Sequence, residues 1–335
     1  MQAAIYGLSG ERLTADERDF FRDADPAGYI LFKRNVVDRE QVRALTDEFR
    51  SLSGRDDLPI LIDQEGGRVA RLRPPVWPEL PSAERFATLY RTAPATAIEA
   101  TRLNALAIAI MLREVGVNVN CLPLLDVRQP DAAAIIGDRA LGGEPMQVAA
   151  LGRSVLDGMR QGGVVGVIKH MPGHGRALVD SHHELPVVDA AEDALEVDLE
   201  PFVTLRNAPM GMTAHVVYTA WDRDRCASHS PLVVEAIIRG RIGFDGFLMS
   251  DDLCMHALSG GFDERARRAV EAGCDVGLHC SGNLAEMQQM AQGVGGLSEK
   301  GERRLIAALA TVEDVRDWPD YGEVAAKRDA LLAYA

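Results

Sequence analysis

The stretch Val-Val-Gly-Val-Ile-Lys-His-Met-Pro-Gly-His-Gly, residues 164–175, joins five apolar residues directly to a loop of reactive side chains. The loop continues to Asp180-Ser181-His182, so three imidazoles, a lysine and a carboxylate follow a single apolar run. A continuous apolar run of this length predicts a parallel strand that is buried on both faces. Because α/β proteins present reactive groups on the loops that follow such strands, we expect residues 169–182 to form a functional loop.

Short apolar runs of this kind occur eight times along the chain. They are residues 3–8, 28–32, 60–62, 117–122, 164–168, 211–214, 246–249 and 275–279. Amphipathic segments between them predict helices at 38–52, 95–115, 147–161, 190–206, 231–241 and 263–272. Eight alternations of strand and helix predict an α/β fold, a single (β/α)8 TIM-type barrel with its site at the C-terminal ends of the strands.

An open, doubly wound sheet is the alternative architecture. It would need a phosphate-binding glycine signature after an early strand, and neither residues 7–10 nor Gly66-Gly67 has that spacing. No linker rich in Pro, Gly or Ser divides the chain. We therefore predict one catalytic domain over residues 1–335, with strand–helix repeats at about 3–293 and C-terminal helices at about 297–335 packed on the outside.

The amino-acid composition excludes some classes of binding partner. The chain has 335 residues and a formal net charge of −14, which argues against nucleic acid or an anionic membrane surface as partner. No run of uncharged apolar residues is long enough to span a membrane. The five cysteines form no Cys-x-x-Cys pair, and the N-terminus lacks the pattern of a signal peptide. We expect a monomer with reduced thiols in the cytoplasm.

Polar residues follow every predicted strand from the third to the eighth. In chain order they are Asp63, Glu65 and Arg71; Asp126, Asp138 and Arg139; Lys169, His170, His174, Asp180 and His182; His215; Ser250, Asp251 and Asp252; and His279. The carboxyl ends of barrel strands meet at one face. Such a ring predicts a pocket for a hydroxyl-rich ligand that is uncharged or weakly charged.

Two pairs of residues allow a structural and a functional interpretation. Asp63 and Arg71 could form an internal salt bridge that fixes their loop, or could hydrogen-bond vicinal hydroxyls of a ligand. One of Asp251 and Asp252 is expected to cap a helix. The other is placed to act as a nucleophile toward an electron-poor carbon, and Asp251, nearer the strand, is favoured for that role.

The segment with Asp180 and His182 has three interpretations. A metal site could use several histidines of the loop, but the His-x-x-x-His spacing of His170 and His174 needs a helix, which Pro172-Gly173 prevents. A hydrogen bond between Asp180 and His182 could simply fix the loop. In the third and favoured interpretation, Asp180 polarises His182 so that its imidazole donates and accepts a proton near neutral pH. We predict neither a metal nor a cofactor.

Four motifs together resemble glycoside hydrolase family 3. They are residues 63–69 (Asp-Gln-Glu-Gly-Gly-Arg-Val), 169–175, 180–182 (Asp-Ser-His) and 250–253 (Ser-Asp-Asp-Leu), and the likeness runs from about residue 13 to residue 280. One branch of that family is the single-domain bacterial β-N-acetylglucosaminidases of peptidoglycan recycling. The lysine-histidine-proline-glycine motif followed by Asp-Ser-His resembles the motif of this branch. Cys254, His256 and Ser281-Gly282-Asn283 depart from the family pattern.

The resemblance implies a retaining exo-β-N-acetylglucosaminidase that removes terminal N-acetylglucosamine from muropeptide fragments through a covalent glycosyl-enzyme intermediate. It implies Asp251 as nucleophile and His182 as acid/base, with Asp180 as the partner of His182. Residues that would hold the terminal sugar are Asp63, Arg71, Arg139, Lys169 and His170. Two alternatives remain: a phosphorylase of the same family, which would resolve the intermediate with phosphate, and a sugar-binding barrel without activity.

Overall fold

The computed structural model describes residues 1–130, 136–179, 184–312 and 319–334. The strands in these ranges are β1 (Gln2–Tyr6), β2 (Pro26–Leu31), β3 (Ile60–Ile62), β4 (Val119–Asn120), β5 (Val165–Met171), β6 (Val187–Val188), β7 (Met210–Thr213), β8 (Val217–Tyr218), β9 (Phe247–Asp252) and β10 (Val276–His279). Eight of them close into a parallel barrel in the order β1-β2-β3-β4-β5-β7-β9-β10, while β6 and β8 form a separate two-stranded sheet. The predicted (β/α)8 barrel is confirmed, because each of the eight apolar runs overlaps one barrel strand.

Strand β4 is shorter than its apolar run, because the side chains of two asparagines replace some of the backbone hydrogen bonds between β4 and the segment of β3. Asn118 accepts a hydrogen bond from the amide of Ile60 at 2.7 Å and donates to the carbonyl of Leu58 at 3.0 Å. Asn120 bonds both the amide and the carbonyl of Gln64, at 3.0 and 2.9 Å. Both side chains are buried, so these bonds satisfy polar groups that the short ladder leaves open.

Helices cover the barrel. They are α1 (Ala15–Ala24), α2 (Arg39–Ser53), α3 (Ala83–Thr92), α4 (Pro94–Glu114), α5 (Pro145–Gln161), α6 (Glu196–Thr204), a π-helix (Val233–Ile242), α7 (Phe262–Ala272), α8 (Leu284–Gly293), α9 (Glu299–Leu309) and α10 (Tyr321–Leu332). The sequence analysis did not predict α1, α3 and α8 as helices. The N-terminus of α1 carries a capping box, in which Thr14 and Glu17 bond each other's backbone amides, and this pattern is readable from sequence.

The two C-terminal helices occupy different places. Leu305 and Ala308 of α9 pack against the apolar residues that fill the barrel interior, and Arg304 bonds Asp275, which precedes β10, at 3.0 Å. Helix α9 therefore lies across the amino-terminal end of the barrel, opposite the ends that carry the polar ring. Helix α10 packs on α4 at the outer wall. The organisation of residues 1–335 as one domain stays a prediction.

Helix α4 is long and apolar enough to cross a membrane by length and composition alone. In the structure 67% of the apolar 18-residue stretch of this helix is buried, and the helix packs against α3, α5 and α10. These neighbouring helices help to bury most of its apolar surface.

Candidate active site

A cavity of about 220 Å³ opens at the carboxyl ends of the barrel strands. Its polar lining comes from Asp63, Glu65, Arg68, Arg71, Arg139, Lys169, His170, His174, Asp251 and Asp252, and its apolar lining includes Phe32, Met212 and Met255. Six residues proposed from sequence as catalytic or sugar-binding are thus brought together: Asp63, Arg71, Arg139, Lys169, His170 and Asp251. Asp180 and His182, the other two, lie outside the described residues. The roles of all eight stay predictions.

Asp251 lies at the end of β9, where its carboxylate reaches the cavity while its surface is 7% exposed. Its Oδ1 accepts a hydrogen bond from the amide of Asp252 at 2.8 Å. Burial raises the pKa of Asp251, but the imidazoles of His170 and His215, with that amide bond, outweigh burial and hold the pKa below its ordinary value. The carboxylate is therefore ionised at neutral pH, as a nucleophile must be.

Asp252 has a structural role that differs from the predicted helix cap. Its Oδ1 accepts hydrogen bonds from the amides of Cys254 at 2.9 Å and Cys280 at 3.1 Å. The next helix, α7, begins only at Phe262, so Asp252 stabilises the turn after β9 and ties it to the residue after β10. The expectation of a helix cap at this position was wrong, because a turn of several residues separates the strand from the helix.

His215 lies behind this turn rather than in the cavity lining. Its Nε2 lies 2.9 Å from the carbonyl oxygen of Asp252, and its Nδ1 lies 2.6 Å from the hydroxyl of Ser228. Burial lowers the pKa of His215. The imidazole therefore supports the backbone next to Asp251 and does not meet a ligand in the cavity.

Lys169, in the cavity lining, joins two carboxylates. Its Nζ lies 3.1 Å from Oδ1 of Asp63 and 2.8 Å from Oε1 of Glu65. Burial lowers the pKa of Lys169, but Glu65 and Asp63 outweigh burial, so the pKa lies above its ordinary value. An ammonium has three protons to donate. With two directed at these carboxylates, the third is available for a ligand hydroxyl.

Glu65 also forms a bidentate pair with Arg139, with both N–O distances at 2.8 Å. Burial raises the pKa of Glu65, but Lys169 and Arg139 outweigh burial and lower the pKa to about 2. Glu65 is therefore a fixed anion that orients two cations of the cavity wall. The sequence analysis placed Glu65 in the polar ring but did not assign it a site role, although its position two residues after Asp63 was a usable signal.

Arg71 lies on the other side of Asp63, at 2.9 Å from Oδ2, and its guanidinium lies over the ring of Phe32. The structural interpretation, a salt bridge within the loop, is therefore realised. Both residues also line the cavity, so the same pair can meet ligand hydroxyls. Burial raises the pKa of Asp63, but Lys169 and Arg71 outweigh it and hold the pKa well below its ordinary value.

His170 is oriented by a buried carboxylate from the neighbouring strand end. Its Nδ1 lies 2.8 Å from Oδ2 of Asp126, and the amides of His170 and His174 donate to Oδ1 of Asp126 at 3.2 and 2.7 Å. Burial raises the pKa of Asp126, but these bonds and the imidazole of His170 lower it well below its ordinary value. Because Asp126 holds Nδ1, the nitrogen that His170 can offer a ligand is Nε2.

The described part of the loop after β5 is anchored by close packing. The Tyr218 hydroxyl donates to the carbonyl of Gly173 at 2.7 Å, and Arg176 binds Asp198. A Cβ at Gly175 would lie 2.0 Å from the carbonyl oxygen of Val127, so only glycine fits there. This segment leads directly to residues 180–183, which carry the predicted Asp180–His182 dyad.

Comparison with known proteins identifies the family. The chain matches the Glycosyl hydrolase family 3 N terminal domain over residues 4–314. A beta-hexosaminidase of Alkalilimnicola ehrlichii is 41% identical over 282 residues, which cover 83% of this chain and 80% of that protein. A beta-hexosaminidase of Methylococcus capsulatus is 37% identical over 334 residues, covering 98% of this chain and 94% of that protein.

A solved structure agrees with these sequence relatives. NagZ from Neisseria gonorrhoeae in complex with N-trifluoroacetyl-D-glucosamine superposes with a TM-score of 0.84 at 31% identity, covering 99% of this chain and 96% of that chain. The family resemblance and the barrel fold inferred from sequence are both confirmed. The chain therefore belongs to glycosyl hydrolase family 3 and is a glycoside hydrolase of the β-N-acetylhexosaminidase class.

Proposed function

We propose that this chain is a retaining exo-β-N-acetylglucosaminidase that removes terminal, non-reducing N-acetylglucosamine from muropeptide fragments. Its substrates would be N-acetylglucosaminyl-1,6-anhydro-N-acetylmuramic acid and its peptide-bearing forms. One observation carries the proposal: the ionised carboxylate of Asp251 lies at a strand end in a cavity whose wall is also lined by the network of Asp63, Lys169 and Glu65.

That wall fits the hydroxyl groups of one sugar ring. It contains three cations and two carboxylates, which pair in the order Arg71, Asp63, Lys169, Glu65 and Arg139. Hydrogen-bond donors and acceptors therefore alternate along it. The carboxylate of Asp63 accepts from a hydroxyl, and Lys169 donates to one. Because ion pairs fix these side chains before a ligand arrives, little rotamer entropy is lost on binding.

In the proposed reaction, an oxygen of Asp251 attacks C1 of the sugar while the protonated imidazole of His182 gives its proton to the glycosidic oxygen. The bond from C1 to that oxygen breaks, the aglycone leaves as an alcohol, and a glycosyl ester forms on Asp251. Water then attacks C1, His182 takes its proton, and Asp251 is released. Two inversions at C1 give net retention of configuration. A neutral imidazole adds no second negative charge beside the ester.

Support for an amino sugar comes from the relatives. The two sequence relatives are beta-hexosaminidases, and the NagZ structure contains an N-acylated glucosamine. The proposal of a muropeptide aglycone rests on the motif resemblance at residues 169–175 and 180–182. We further propose that the enzyme acts as a monomer in the cytoplasm, a location supported by its five unpaired cysteines.

The first experiment compares p-nitrophenyl N-acetyl-β-glucosaminide with the plain β-glucoside. We expect turnover of the first and little of the second. With the anhydro-disaccharide as substrate, proton NMR should show the β-anomer of N-acetylglucosamine as the first product, before mutarotation. An α-anomer formed first would overturn the retaining mechanism.

A trapping experiment tests the assignment of the nucleophile. A 5-fluoro N-acetylglucosaminyl fluoride should leave its sugar covalently on Asp251, as peptide mass spectrometry would show, and Asp252→Asn should still be labelled. A label on any other residue contradicts the proposal. Adding phosphate should leave the product unchanged, whereas appearance of a sugar 1-phosphate would establish the phosphorylase alternative.

A further inference from the structure

Cys254, His279 and Glu286 form a cluster beside the proposed nucleophile. Cys254 follows β9 by two residues, His279 is the last residue of β10, and Glu286 lies in the first turn of α8. One ligand atom from each, a sulfur, a ring nitrogen and a carboxylate oxygen, lies within 4.8 Å of the others. None of the three belongs to the polar lining of the sugar cavity.

His279 has an unusual environment for an imidazole. Its side chain is 0% exposed, yet within the described part of the chain neither ring nitrogen forms a hydrogen bond. Oε2 of Glu286 lies 3.3 Å from Nε2, but the contact does not have hydrogen-bond geometry. Buried polar side chains are almost always satisfied, so a buried imidazole that faces a carboxylate without bonding it points to a ligand that both groups can share.

The distances between these groups suit a cation with tetrahedral coordination. Two ligands on zinc, a nitrogen and an oxygen each at about 2.1 Å from the metal, lie about 3.4 Å apart. The observed separation of 3.3 Å between Nε2 of His279 and Oε2 of Glu286 matches that value. A sulfur and a nitrogen on the same ion lie about 3.6 Å apart. The ligand atoms lie within 4.8 Å of one another, so the Cys254 sulfur needs to approach the nitrogen by at most about 1.2 Å to reach that separation.

Neighbouring groups hold the ligands in place. The Ser281 hydroxyl donates to Oε2 of Glu286, and Asn283 caps α8 by accepting from the amides of Ala285 and Glu286. The amide of Cys254 is bound by Asp252. Such outer bonds are typical of metal ligands, whose orientation they fix.

We propose that Cys254, His279 and Glu286 bind one borderline-soft divalent cation of the zinc type, with water at the fourth position. The pairing of a thiol and an imidazole with one carboxylate favours zinc over magnesium or calcium, which prefer oxygen ligands. The bound ion would tie the turn that follows Asp251 and Asp252 at the end of β9 to the start of α8. The site is a second one, separate from the sugar cavity.

The test measures metal binding rather than activity. Protein stripped with a chelator is dialysed against Zn²⁺, and bound metal is counted by atomic absorption. We expect one zinc per chain in the wild type, and Co²⁺ at the same site should give a thiolate-to-cobalt charge-transfer band. Cys254→Ser should abolish that band, and both Cys254→Ser and Glu286→Gln should weaken zinc binding by about tenfold or more.

Two control variants make the result specific. Cys226→Ser removes a thiol outside the cluster, and His182→Ala removes an imidazole of the catalytic segment; both should keep one zinc and the cobalt band. Wild-type protein that retains no zinc, or Cys254→Ser and Glu286→Gln that retain it undiminished, would overturn the site. Glu286 is partly exposed, so Glu286→Gln remains informative if Cys254→Ser folds poorly. Activity on N-acetylglucosaminides enters none of these measurements.

Discussion

Replacing Glu65 by Gln tests whether the carboxylate network of the cavity is as strongly coupled as its geometry indicates. The substitution keeps the size of the side chain but removes the charge that faces Lys169 at 2.8 Å and Arg139 at two distances of 2.8 Å. The pKa of Glu65 lies at about 2 instead of 4.5. Lowering the pKa from 4.5 to about 2 corresponds to about 3 kcal/mol of folding free energy, because a tenfold change in proton affinity is worth about 1.4 kcal/mol.

The sign of the pH dependence follows from the direction of the shift. The folded protein keeps Glu65 ionised down to pH values at which the unfolded chain has already taken up the proton. Its contribution is therefore complete above pH 4.5 and is lost as the pH falls toward 2. We expect Glu65→Gln to be less stable than wild type by about 3 kcal/mol at pH 7 and by about 2 kcal/mol at pH 3.5.

The assay is urea unfolding followed by tryptophan fluorescence at both pH values, with the difference between the two proteins as the measured quantity. Glu299→Gln is the matched control, because that side chain is 96% exposed and lies 3.9 Å from Arg303. It should change stability by no more than about 0.5 kcal/mol. A Glu65→Gln variant as stable as wild type at pH 7, or a difference that does not shrink at pH 3.5, would refute the reasoning.

Three further predictions concern catalysis and the loop. Asp251→Ala should lower kcat by about 10⁴-fold or more while N-acetylglucosamine still binds in calorimetry, and a kcat close to that of the wild type would contradict the nucleophile role. His182→Ala should lose less activity on p-nitrophenyl than on alkyl glycosides, since good leaving groups need little protonation; equal losses would contradict the acid role. Asp126→Asn should lower kcat/KM by about 100-fold through misplacement of His170 without unfolding the protein, which circular dichroism would check. An unchanged kcat/KM would show that Asp126 does not position the ring.

The strands and most helices were predictable because their signals are local. A parallel barrel strand is buried on both faces, so each of the eight strands appears in the sequence as a short continuous apolar run. The helices α1, α3 and α8 were missed, although α1 begins with a capping box at Thr14 and Glu17. The helix cap expected after β9 was wrong, because sequence spacing alone does not distinguish a cap from a turn closed by Asp252.

The sequence by itself determined which side chains stand at the carboxyl ends of the strands, and therefore that carboxylates, cations and imidazoles share one face of the barrel. Only the tertiary structure decided the partners: Lys169 between Asp63 and Glu65, Asp126 on His170, and Cys254 beside His279 and Glu286. These partners come from different strand–helix units, and ion pairs and pKa values depend on distances of a few ångströms. Closure and register of the barrel set those distances, and no local pattern encodes them.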